Sequence, residues 1–402
     1  MPSALFTGVF NTSQNPAELN TRSFAGTMLR LFPNGSFPLW GLLSQQPRSS
    51  AKSSTHGYFS KTMQFGSVQI NSAAIGAGTT VIPVDSTTGM LADMVLYNPT
   101  TRENVRVASV DSATQITVTR AYGRVLGAAM ADDQKLLVVG TSYAEGSARP
   151  TARGMTTVYV PNYTQIFRNA WALTDTARAS LAEQGFSNVQ ENRKDCSMLH
   201  SSECESSIFF GQPIMDTSGT QPRHATQGIY DATDQYAPAN TNTAAATTTF
   251  QQLVTLVEPA FLYSTDMGNS KSRIAFCGST AMKVLNDIGR MSGQVTISQE
   301  ETSFGMQFTK FKFYKGTINL IEHPLFNAWA ELAKLMVVVE LGALKLAFLN
   351  GRDTKPEEFG GDGRNNANGV DAVGGSLTSE FAVELVNPYA CCVVEGLTEA
   401  IG

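Results

Sequence analysis

The residues best suited to bind a metal ion are Cys196, His200 and Cys204, which recur every four positions and share one face of a predicted helix. Thiolate and imidazole ligands suit zinc. One ion cannot be reached by all three, because Cys196 and Cys204 lie about 12 Å apart along a helix axis. We therefore interpret these residues as packing groups and predict no metal site and no cofactor.

Nucleophilic catalysis would require one of the four histidines beside a serine or cysteine: His56, His200, His224 and His323. None of them stands in a recognisable catalytic motif. His323 follows a predicted strand and precedes Pro324, as a turn residue would. The chain also contains no G-x-x-x-x-G-K-[ST], G-x-S-x-G or H-E-x-x-H sequence. The glycine-dense segment Gly360–Gly363 is followed by no helical pattern, so it predicts a mobile loop.

Paired carboxylates could serve glycoside hydrolysis. Glu300-Glu301 and Glu357-Glu358 are adjacent, in predicted loops or strand ends. Glu203 and Glu205 stand two positions apart in a predicted helix, so their side chains diverge. We interpret all these carboxylates as solvated surface groups and predict that the chain is not an enzyme.

The composition is neutral-polar rather than charged. Lys plus Arg number 29 and Asp plus Glu number 34, which gives a net charge of −5 and argues against a protein that coats nucleic acid. The longest apolar runs, Leu335–Val339 and Tyr389–Val394, are far shorter than the roughly 18 residues of a membrane span. No signal peptide is visible, and five cysteines without framework spacing indicate free thiols in a reducing compartment.

The first 55 residues predict an extended arm. Turn signals such as Asn15-Pro16 and Gln46-Pro47 alternate with large apolar residues. A segment with so many apolar anchors is expected to cross a surface, in its own subunit or a neighbour. A short N-terminal helix with a loop stays open as the alternative.

A small β-module is predicted inside a long hairpin whose strands are His56–Ile70 and Leu136–Tyr143. Such an insertion at a hairpin tip disturbs little buried backbone. Turn-forming residues separate its candidate strands, which are Thr79–Val84, Asp93–Tyr97, Asn104–Val110 and Gln115–Thr119.

The remaining chain mixes strands and helices. A strand at Thr156–Val160 is predicted to stop at Pro161, a second strand follows at Tyr163–Leu173, and a helix runs from about residue 176 to 210. Residues 211–245 predict a loop because they are rich in Thr, Gln, Asn and Pro. Helices are predicted from Phe250 and from Ser279. Further predicted strands are Arg273–Cys277, Gln294–Ser298, Phe304–Phe313, Thr317–Glu322, Leu335–Glu340, Leu344–Leu349, Phe381–Val386 and Ala390–Val394.

This order of elements resembles that of tailed-bacteriophage major capsid proteins with the Hong Kong 97-type (HK-97-like) fold. Phe37-Pro38-Leu39 resembles the arm motif of that family, and Asn162–Arg168 resembles the junction from the extended loop into the peripheral domain. Leu199–Gly211 resembles the end of the spine helix, and Ile321–Pro324 a strand-end motif of the axial domain.

The predicted module is similar to the β-insertions that some of these proteins carry in the extended loop. The likeness rests on Ile82–Asp85 and on Val118–Gly123. Ala121 departs from the pattern, because a glycine is expected at that position.

The resemblance implies an α+β fold in four parts. These are an N-terminal arm at residues 1–55, an extended loop at 56–145 with a β-domain insertion at about 67–140, a peripheral domain at 146–245 with a spine helix at about 188–210, and an axial α/β domain with returning C-terminal strands at 246–402.

The function that the resemblance implies is that of a major capsid protein, which self-assembles into hexamers and pentamers of an icosahedral or prolate shell around a double-stranded DNA genome. The implied partners are other copies of the chain, a scaffolding protein, a portal and a cement or decoration protein, with packaged DNA contacted non-specifically and no membrane. The implied location is the virion capsid, after assembly in the host cytoplasm.

Nine residues are predicted to contact other subunits. Phe37, Leu39 and Trp40 would anchor the arm, while Phe59, Met63 and Phe65 would lie along the extended loop against a neighbour. The module contributes Arg102, Arg106 and Arg120, which together with Arg124 make it locally basic. This charge suits an acidic neighbouring surface, with ordinary charge mixing as the alternative.

Three other classes of protein stay open. An encapsulin-type compartment protein would share the fold but would generally lack a large inserted β-domain. A tail or receptor-binding protein fits poorly with the long helix and the α/β C-terminal half. A hydrolase would need a constellation of catalytic residues around a histidine, which the sequence does not offer.

Overall fold

A computed structural model describes residues 37–61, 66–72, 74–152, 154, 157–179, 188–265, 271–292, 298–303, 306–359 and 372–400. The predicted arm up to residue 36 lies outside the described residues, as do Met63 and Phe65. The chain forms two compact units. One is Phe59–Val160, and the other combines Met1–Tyr58 with Pro161–Gly402.

The helices are α1 Pro38–Gln45, α2 Asp175–Ala179, α3 Asn188–Phe210, α4 Ile229–Tyr236, α5 Phe250–Val257 and α6 Ser279–Ser292. The first strands are β1 Ser49–Ala51, β2 Thr55–Ser60, β3 Ser67–Gln69, β4 Ala74–Ile75, β5 Val81–Pro83, β6 Met94–Tyr97, β7 Asn104–Ser112, β8 Gln115–Thr119, β9 Met130–Ala131, β10 Lys135–Thr141, β11 Val158–Tyr163 and β12 Gln165–Thr174. The later strands are β13 Ile214–Asp216, β14 Arg223–Ala225, β15 Thr241–Thr243, β16 Thr247–Thr248, β17 Ser272–Cys277, β18 Ser298–Ser303, β19 Met306–Phe313, β20 Gly316–Glu322, β21 Met336–Val339, β22 Leu344–Leu349, β23 Lys355–Phe359, β24 Ala372–Leu385, β25 Cys392–Glu395 and β26 Glu399–Ala400. Short 3-10 turns lie at Pro238–Asn240, Glu258–Phe261, Pro324–Ala328, Leu332–Lys334, Leu341–Ala343 and Pro388–Ala390.

The unit Phe59–Val160 contains a closed β-barrel. Its strands follow the order β3-β10-β6-β7-β8-β5. An antiparallel bridge between Ile70 and Val84 joins the first strand of this order to the last. The sheet therefore closes on itself and surrounds a core of aliphatic side chains, which includes Val68, Ile82, Leu96, Val105, Val107, Ile116, Val118 and Leu136.

The other unit is built on two sheets. A seven-stranded sheet has the order β15-β25-β21-β17-β20-β19-β18. Alternate residues of β17 point to opposite faces, so Ala275 and Cys277 join the core under α5 and α6, while Phe276 joins a second core with α1, α3 and α4. This arrangement buries both faces of the central strands.

A five-stranded sheet has the order β1-β22-β24-β12, with β23 also paired to β24. Strands β12 and β24 pair antiparallel without a register shift from Gln165↔Phe381 to Thr174↔Ala372. Helix α3 packs on one face of this pair, where His200 bonds to Asn169 and Ser379. The structure thus confirms the predicted α+β class.

Several strand predictions are confirmed, and one matches residue for residue at Gln115–Thr119. The predicted end of a strand at Pro161 is wrong, because β11 continues through it to Tyr163. Within the described residues β11 pairs only with β2, and an edge strand tolerates a residue without an N–H donor.

The predicted loop at residues 211–245 is also wrong in part, since it contains helix α4 and the paired strands β13 and β14. The predicted helix from residue 176 to 210 corresponds to α2 and α3, with residues 180–187 outside the described ranges.

Strand β18 starts at Ser298, the last residue of the strand predicted there. Strand β24 begins nine residues before the predicted Phe381 and includes Gly375, where a Cβ would approach the carbonyl oxygen of Glu357 to 2.7 Å.

Candidate functional site

The candidate site is a buried joint between α1 and α3, formed by Leu39, Trp40, Glu205 and His323; we call it the Glu205 joint. Glu205 projects from α3 and is fully buried. Its Oε1 accepts a hydrogen bond from the Leu39 N–H at 3.0 Å, and its Oε2 accepts one from the Trp40 N–H at 3.1 Å. The same Oε1 lies 2.6 Å from Nε2 of His323.

The joint replaces a cap that α1 lacks. The N-cap residue, Phe37, has no side-chain acceptor, and Pro38 opens the helix. The first N–H groups of a helix need a partner and carry partial positive charge. A carboxylate from another helix satisfies both needs, so Glu205 does for α1 what Ser or Asp does at a local cap.

The hydrogen bonds of His323 fix its tautomer. Its Nδ1 accepts from the Leu325 N–H at 3.2 Å, so the ring hydrogen is on Nε2 and is donated to Glu205. The imidazole is fully buried against the rings of Phe209 and Phe326, with centroids 4.9 and 4.5 Å away. His323 thus orients the buried Glu205 side chain, which also accepts two N–H groups from the first turn of α1.

The predicted arm anchors differ in how deeply they are buried at this joint. Leu39 is fully buried in its own subunit, together with Leu42 and Leu43. Trp40 is partly buried, and its ring centroid lies 5.5 Å from that of Phe381. Leu39 therefore leaves no surface for another subunit, which corrects its predicted role; Phe37 and Trp40 keep some exposed surface.

The loop residue Phe59 lies on β2 and is 72% exposed. Its ring centroid is 5.2 Å from that of Tyr159 on β11, which is also exposed. Its predicted companions Met63 and Phe65 lie outside the described residues. Contact between Phe59 and a neighbour stays a prediction.

In the barrel, Arg120 is an interior residue. Its Nε and Nη2 bind the two carboxylate oxygens of Glu103 at 2.8 Å each, and its remaining donors reach the carbonyl oxygens of Gly76, Thr79 and Ala128. Both side chains of the pair are almost completely buried. This corrects the predicted role of Arg120, because its guanidinium is already used inside its own unit.

Glu103 also holds the loop that follows β8. Its carboxylate accepts from the N–H groups of Ala121 and Ala128 at 2.9 and 3.2 Å. Burial alone would raise the pKa of Glu103, but the bonds from Arg120, Ala121 and Ala128 outweigh burial and lower this pKa. Ala121 has φ of 54°, the left-handed conformation that favours glycine.

The other two arginines lie at the barrel surface. Arg106 contacts Asp93 at 3.4 Å and stacks over the ring of Tyr122. Arg102 is exposed, with φ of 60°. Both stay predicted contact residues, since their side chains reach solvent.

The cysteine and histidine helix face is a packing surface. His200 uses both ring nitrogens, at 2.7 Å from Asn169 Oδ1 and 2.8 Å from Ser379 Oγ. Burial lowers the pKa of His200 and raises that of Cys204 to about 12. Among the described residues, no group of His, Cys, Asp or Glu is arranged to hold a metal ion.

Glu205 is predicted to be a solvated surface group like Glu203, and this prediction is wrong, because Glu205 is fully buried. The neighbouring sequence contains a signal for this burial. Ile208 and Phe209 follow Glu205 at i+3 and i+4, so they share its helix face, and both are buried. His323 is a turn residue as predicted, since its side chain accepts from the Leu325 N–H at the start of a 3-10 turn. Its contact with Glu205 spans 118 positions, which no local pattern reveals.

No helix in the described part of the chain is long and apolar enough to cross a membrane. The family described as SU10 major capsid protein matches residues 7–398. A major capsid protein of Pseudomonas phage PaMx41 is 49% identical over 408 residues, covering 99% of this chain and 97% of that protein. The fold is similar to a solved structure from Mycobacterium phage Cain, with a TM-score of 0.48, 11% identity and 96% of each chain covered. It is also similar to the holo-SrpI encapsulin complex from Synechococcus elongatus PCC 7942, with a TM-score of 0.43, 9% identity, and coverage of 62% of this chain and 80% of that chain.

Proposed function

The chain belongs to the SU10 major capsid protein family, and from this premise we propose that it assembles into hexamers and pentamers that enclose a double-stranded DNA genome. It is a phage major capsid protein, and it forms the shell of the virion. The observation that carries the proposal is the family match across nearly the whole chain. The resemblance found in the sequence is confirmed at the level of the family.

The Glu205 joint supports this proposal. A shell subunit needs its N-terminal segment to leave the folded body in a fixed direction, because arms that cross neighbours turn modest pairwise contacts into a cooperative lattice. Helix α1 supplies that fixed start, since Leu39 is buried and two of its N–H groups bind Glu205.

We further propose that the chain has no catalytic activity. The polar groups that could do chemistry serve structure instead: Glu205 with His323, Glu103 with Arg120, and His200 with Asn169 and Ser379. His56 binds Glu384 at 2.9 Å. In each of these pairs, the histidine or carboxylate therefore forms hydrogen bonds inside its own chain.

The proposed partners follow from the same role. We expect a scaffolding protein and a portal during assembly in the host cytoplasm, and a cement or decoration protein on the finished shell. Packaged DNA would be contacted without sequence specificity, and the net charge of −5 suits a wall that does not hold DNA tightly.

The direct test is negative-stain electron microscopy after size-exclusion chromatography with light scattering, with and without co-expressed scaffolding protein. Closed particles, or rings of five and six, are expected. A monomer under all of these conditions would contradict the proposal. Nucleic acid inside purified particles would separate a virion shell from the alternative, an encapsulin-type compartment filled with enzyme.

A truncation tests the arm separately. Removal of residues 1–36 should leave the folded unit intact and prevent shell closure. The cut is placed before Phe37, because loss of α1 would remove three buried leucines and leave the Glu205 carboxylate without its N–H partners. Closed shells from this variant would contradict the role of the arm.

A further inference from the structure

The turn that follows β22 contains an asparagine directly before a glycine. Asn350 and Gly351 occupy its two central positions, and the Leu349 carbonyl oxygen accepts a hydrogen bond from the Arg352 N–H at 2.8 Å across them. Gly351 has φ of 77°, as the third residue of a type II turn requires. Glycine adopts this conformation without strain, so the Asn-Gly pair fits the turn.

The reactive groups of this pair are open to water. Asn350 and Gly351 are both exposed. No described residue accepts a hydrogen bond from the Gly351 N–H or from the side-chain amide of Asn350. Outside residues 350–352, no atom of the described chain lies within 4 Å of the position that a Cβ would take on Gly351. Neither packing nor hydrogen bonding therefore shields the Gly351 nitrogen or the amide carbon of Asn350.

An accessible asparagine that precedes glycine reacts without an enzyme, and asparagine is one of the thermolabile residues. The Gly351 nitrogen attacks Cγ of Asn350, and glycine hinders this attack least because it has no side chain. The N–Cγ bond forms and the Cγ–Nδ2 bond breaks. Ammonia leaves with the proton of the Gly351 nitrogen, and the product is a five-membered cyclic imide, a succinimide.

Water then opens the succinimide at one of its two carbonyl carbons. Cleavage at Cγ leaves aspartate, whereas cleavage at the main-chain carbonyl carbon leaves isoaspartate, in which the chain runs through Cβ and Cγ of residue 350. Each route consumes one water and releases one ammonia, and no oxidant or reductant takes part. Either product adds one negative charge to a chain whose net charge is −5.

We propose that Asn350 is a site of spontaneous covalent modification in the folded chain, where ring closure on Gly351 and hydrolysis yield aspartate and isoaspartate. The reaction needs only the chain and water, so it does not depend on the proposed shell assembly.

The two products should differ in their effect on the turn. The hydrogen bond from the Arg352 N–H to Leu349 spans the carbon that isoaspartate inserts into the main chain, so this bond should be lost. The Asn350 N–H precedes the insertion, so its bond to the Ala51 carbonyl oxygen at 3.2 Å should persist. The Arg352 carbonyl oxygen accepts from the Glu380 N–H at 3.1 Å, just before β23 begins. Isoaspartate should therefore loosen the start of β23 and leave the end of β1 attached.

The test incubates purified, folded, full-length protein in mildly alkaline buffer made with heavy-oxygen water and then sequences its tryptic peptides by mass spectrometry. Cleavage after Lys345 and Arg352 isolates residues 346–352, in which Asn350 is the only asparagine. We expect heavy oxygen to enter this peptide, in both aspartate and isoaspartate products. Isoaspartate is diagnostic, because direct hydrolysis of the side-chain amide by water yields aspartate alone.

Two controls isolate the role of the Asn-Gly pair. Residues 316–334 form one tryptic peptide whose asparagines, Asn319 and Asn327, precede leucine and alanine, so this peptide should stay unlabelled. Asn350→Gln is the matched variant. It keeps the amide and the turn glycine, but its ring would have six members and would close far more slowly, so residues 346–352 should stay unlabelled in this variant.

The outcomes are distinct. Absence of label at residue 350 in the wild-type chain, or aspartate without isoaspartate, would overturn the proposal. Label that enters only after unfolding in urea would also overturn it, because the folded turn would then protect the pair.

Hydrogen exchange tests the effect on the turn. The amides of residues 353–359 should exchange faster in aged wild-type protein than in freshly purified Asn350→Asp, because that variant has the added charge without the inserted carbon. Equal exchange in the two proteins would contradict the opening of the turn.

Discussion

At the scale of residues, the carboxylate of Glu205 supplies the cap that α1 does not carry in its own sequence. The bonds to Leu39 and Trp40 bring together positions about 165 residues apart. A buried charge is tolerated only where its partners are complete, so each member of the joint depends on the others. Removing one member should therefore cost more than a surface substitution.

Glu205→Gln should lower the free energy of unfolding by about 1–3 kcal/mol, because the amide has one acceptor oxygen in place of two, so at least one of the three buried donors loses its partner. Urea titration of the full chain measures this change. Glu203→Gln is the matched control: Glu203 is exposed, accepts from Asn169, and keeps an acceptor as glutamine. Its effect should stay within about 0.5 kcal/mol, and equal losses in the two variants would argue against the joint.

Ala121→Gly should stabilise the protein by up to about 1 kcal/mol, because φ of 54° strains an L-residue and not a glycine. Ala128→Gly tests the other end of the same loop, where the backbone has no positive φ. Glycine there only adds freedom to the unfolded chain and should destabilise. Thermal unfolding of the full chain measures both, and a loss of stability from Ala121→Gly would contradict the assignment of strain.

At the scale of elements, the loop after β8 is tied at both ends to Glu103. Arg120 fills the space between that carboxylate and three backbone carbonyl groups. The pair therefore links the start of β7 and the end of β8 to the segment between β4 and β5. Its contribution should depend on the ionised form of Glu103.

We expect barrel stability to fall in acid. The pKa of Glu103 in the folded state lies below its usual 4.5, so its stabilisation is complete above about pH 4.5 and is lost as the pH falls through the lower, folded-state value. Unfolding midpoints of the full chain between pH 7 and pH 3 measure this loss. Glu103→Gln combined with Arg120→Gln should flatten that part of the pH profile, and an unchanged profile would show that other carboxylates cause it.

Local sequence patterns predict those helices and strands that are determined by neighbouring residues in the sequence. Strand β8 is predicted correctly because its apolar residues alternate between two turns, and α3 because its segment contains few β-branched residues. The miss at α4 has a physical reason: its buried face consists of only Ile229, Ala232 and Thr233, too few apolar residues to stand out in a polar segment. Burial of Glu205 depends on distant strands and helices, which no local pattern contains.

At the scale of the whole molecule, the chain consists of two compact units with separate hydrophobic cores. The barrel interior is aliphatic, whereas the core around α3 includes Phe209, Phe276, Phe326 and Phe381. Each unit also has its own buried ion pair or carboxylate. Substitutions at these groups should therefore act on one unit at a time.

Differential scanning calorimetry of the full chain should show two transitions. Arg120→Ala should lower one of them, and Glu205→Gln should lower only the other, because the two residues lie in different cores. Effects of distant and independent sites add. A double variant should therefore shift both transitions by the single-variant amounts. A shared shift from either single variant would show that the units unfold together.

The bridge between Ile70 and Val84 affects how the barrels of neighbouring subunits can interact when they are crowded together in a shell. A capsid holds one barrel for every subunit, at a surface density that soluble proteins rarely meet. An open sheet displayed at such density would offer its row of N–H and C=O groups to equal rows on its neighbours, and sideways polymerisation would compete with the curved lattice. Closure removes that row. The barrel can thus be repeated across the particle without recruiting its own copies.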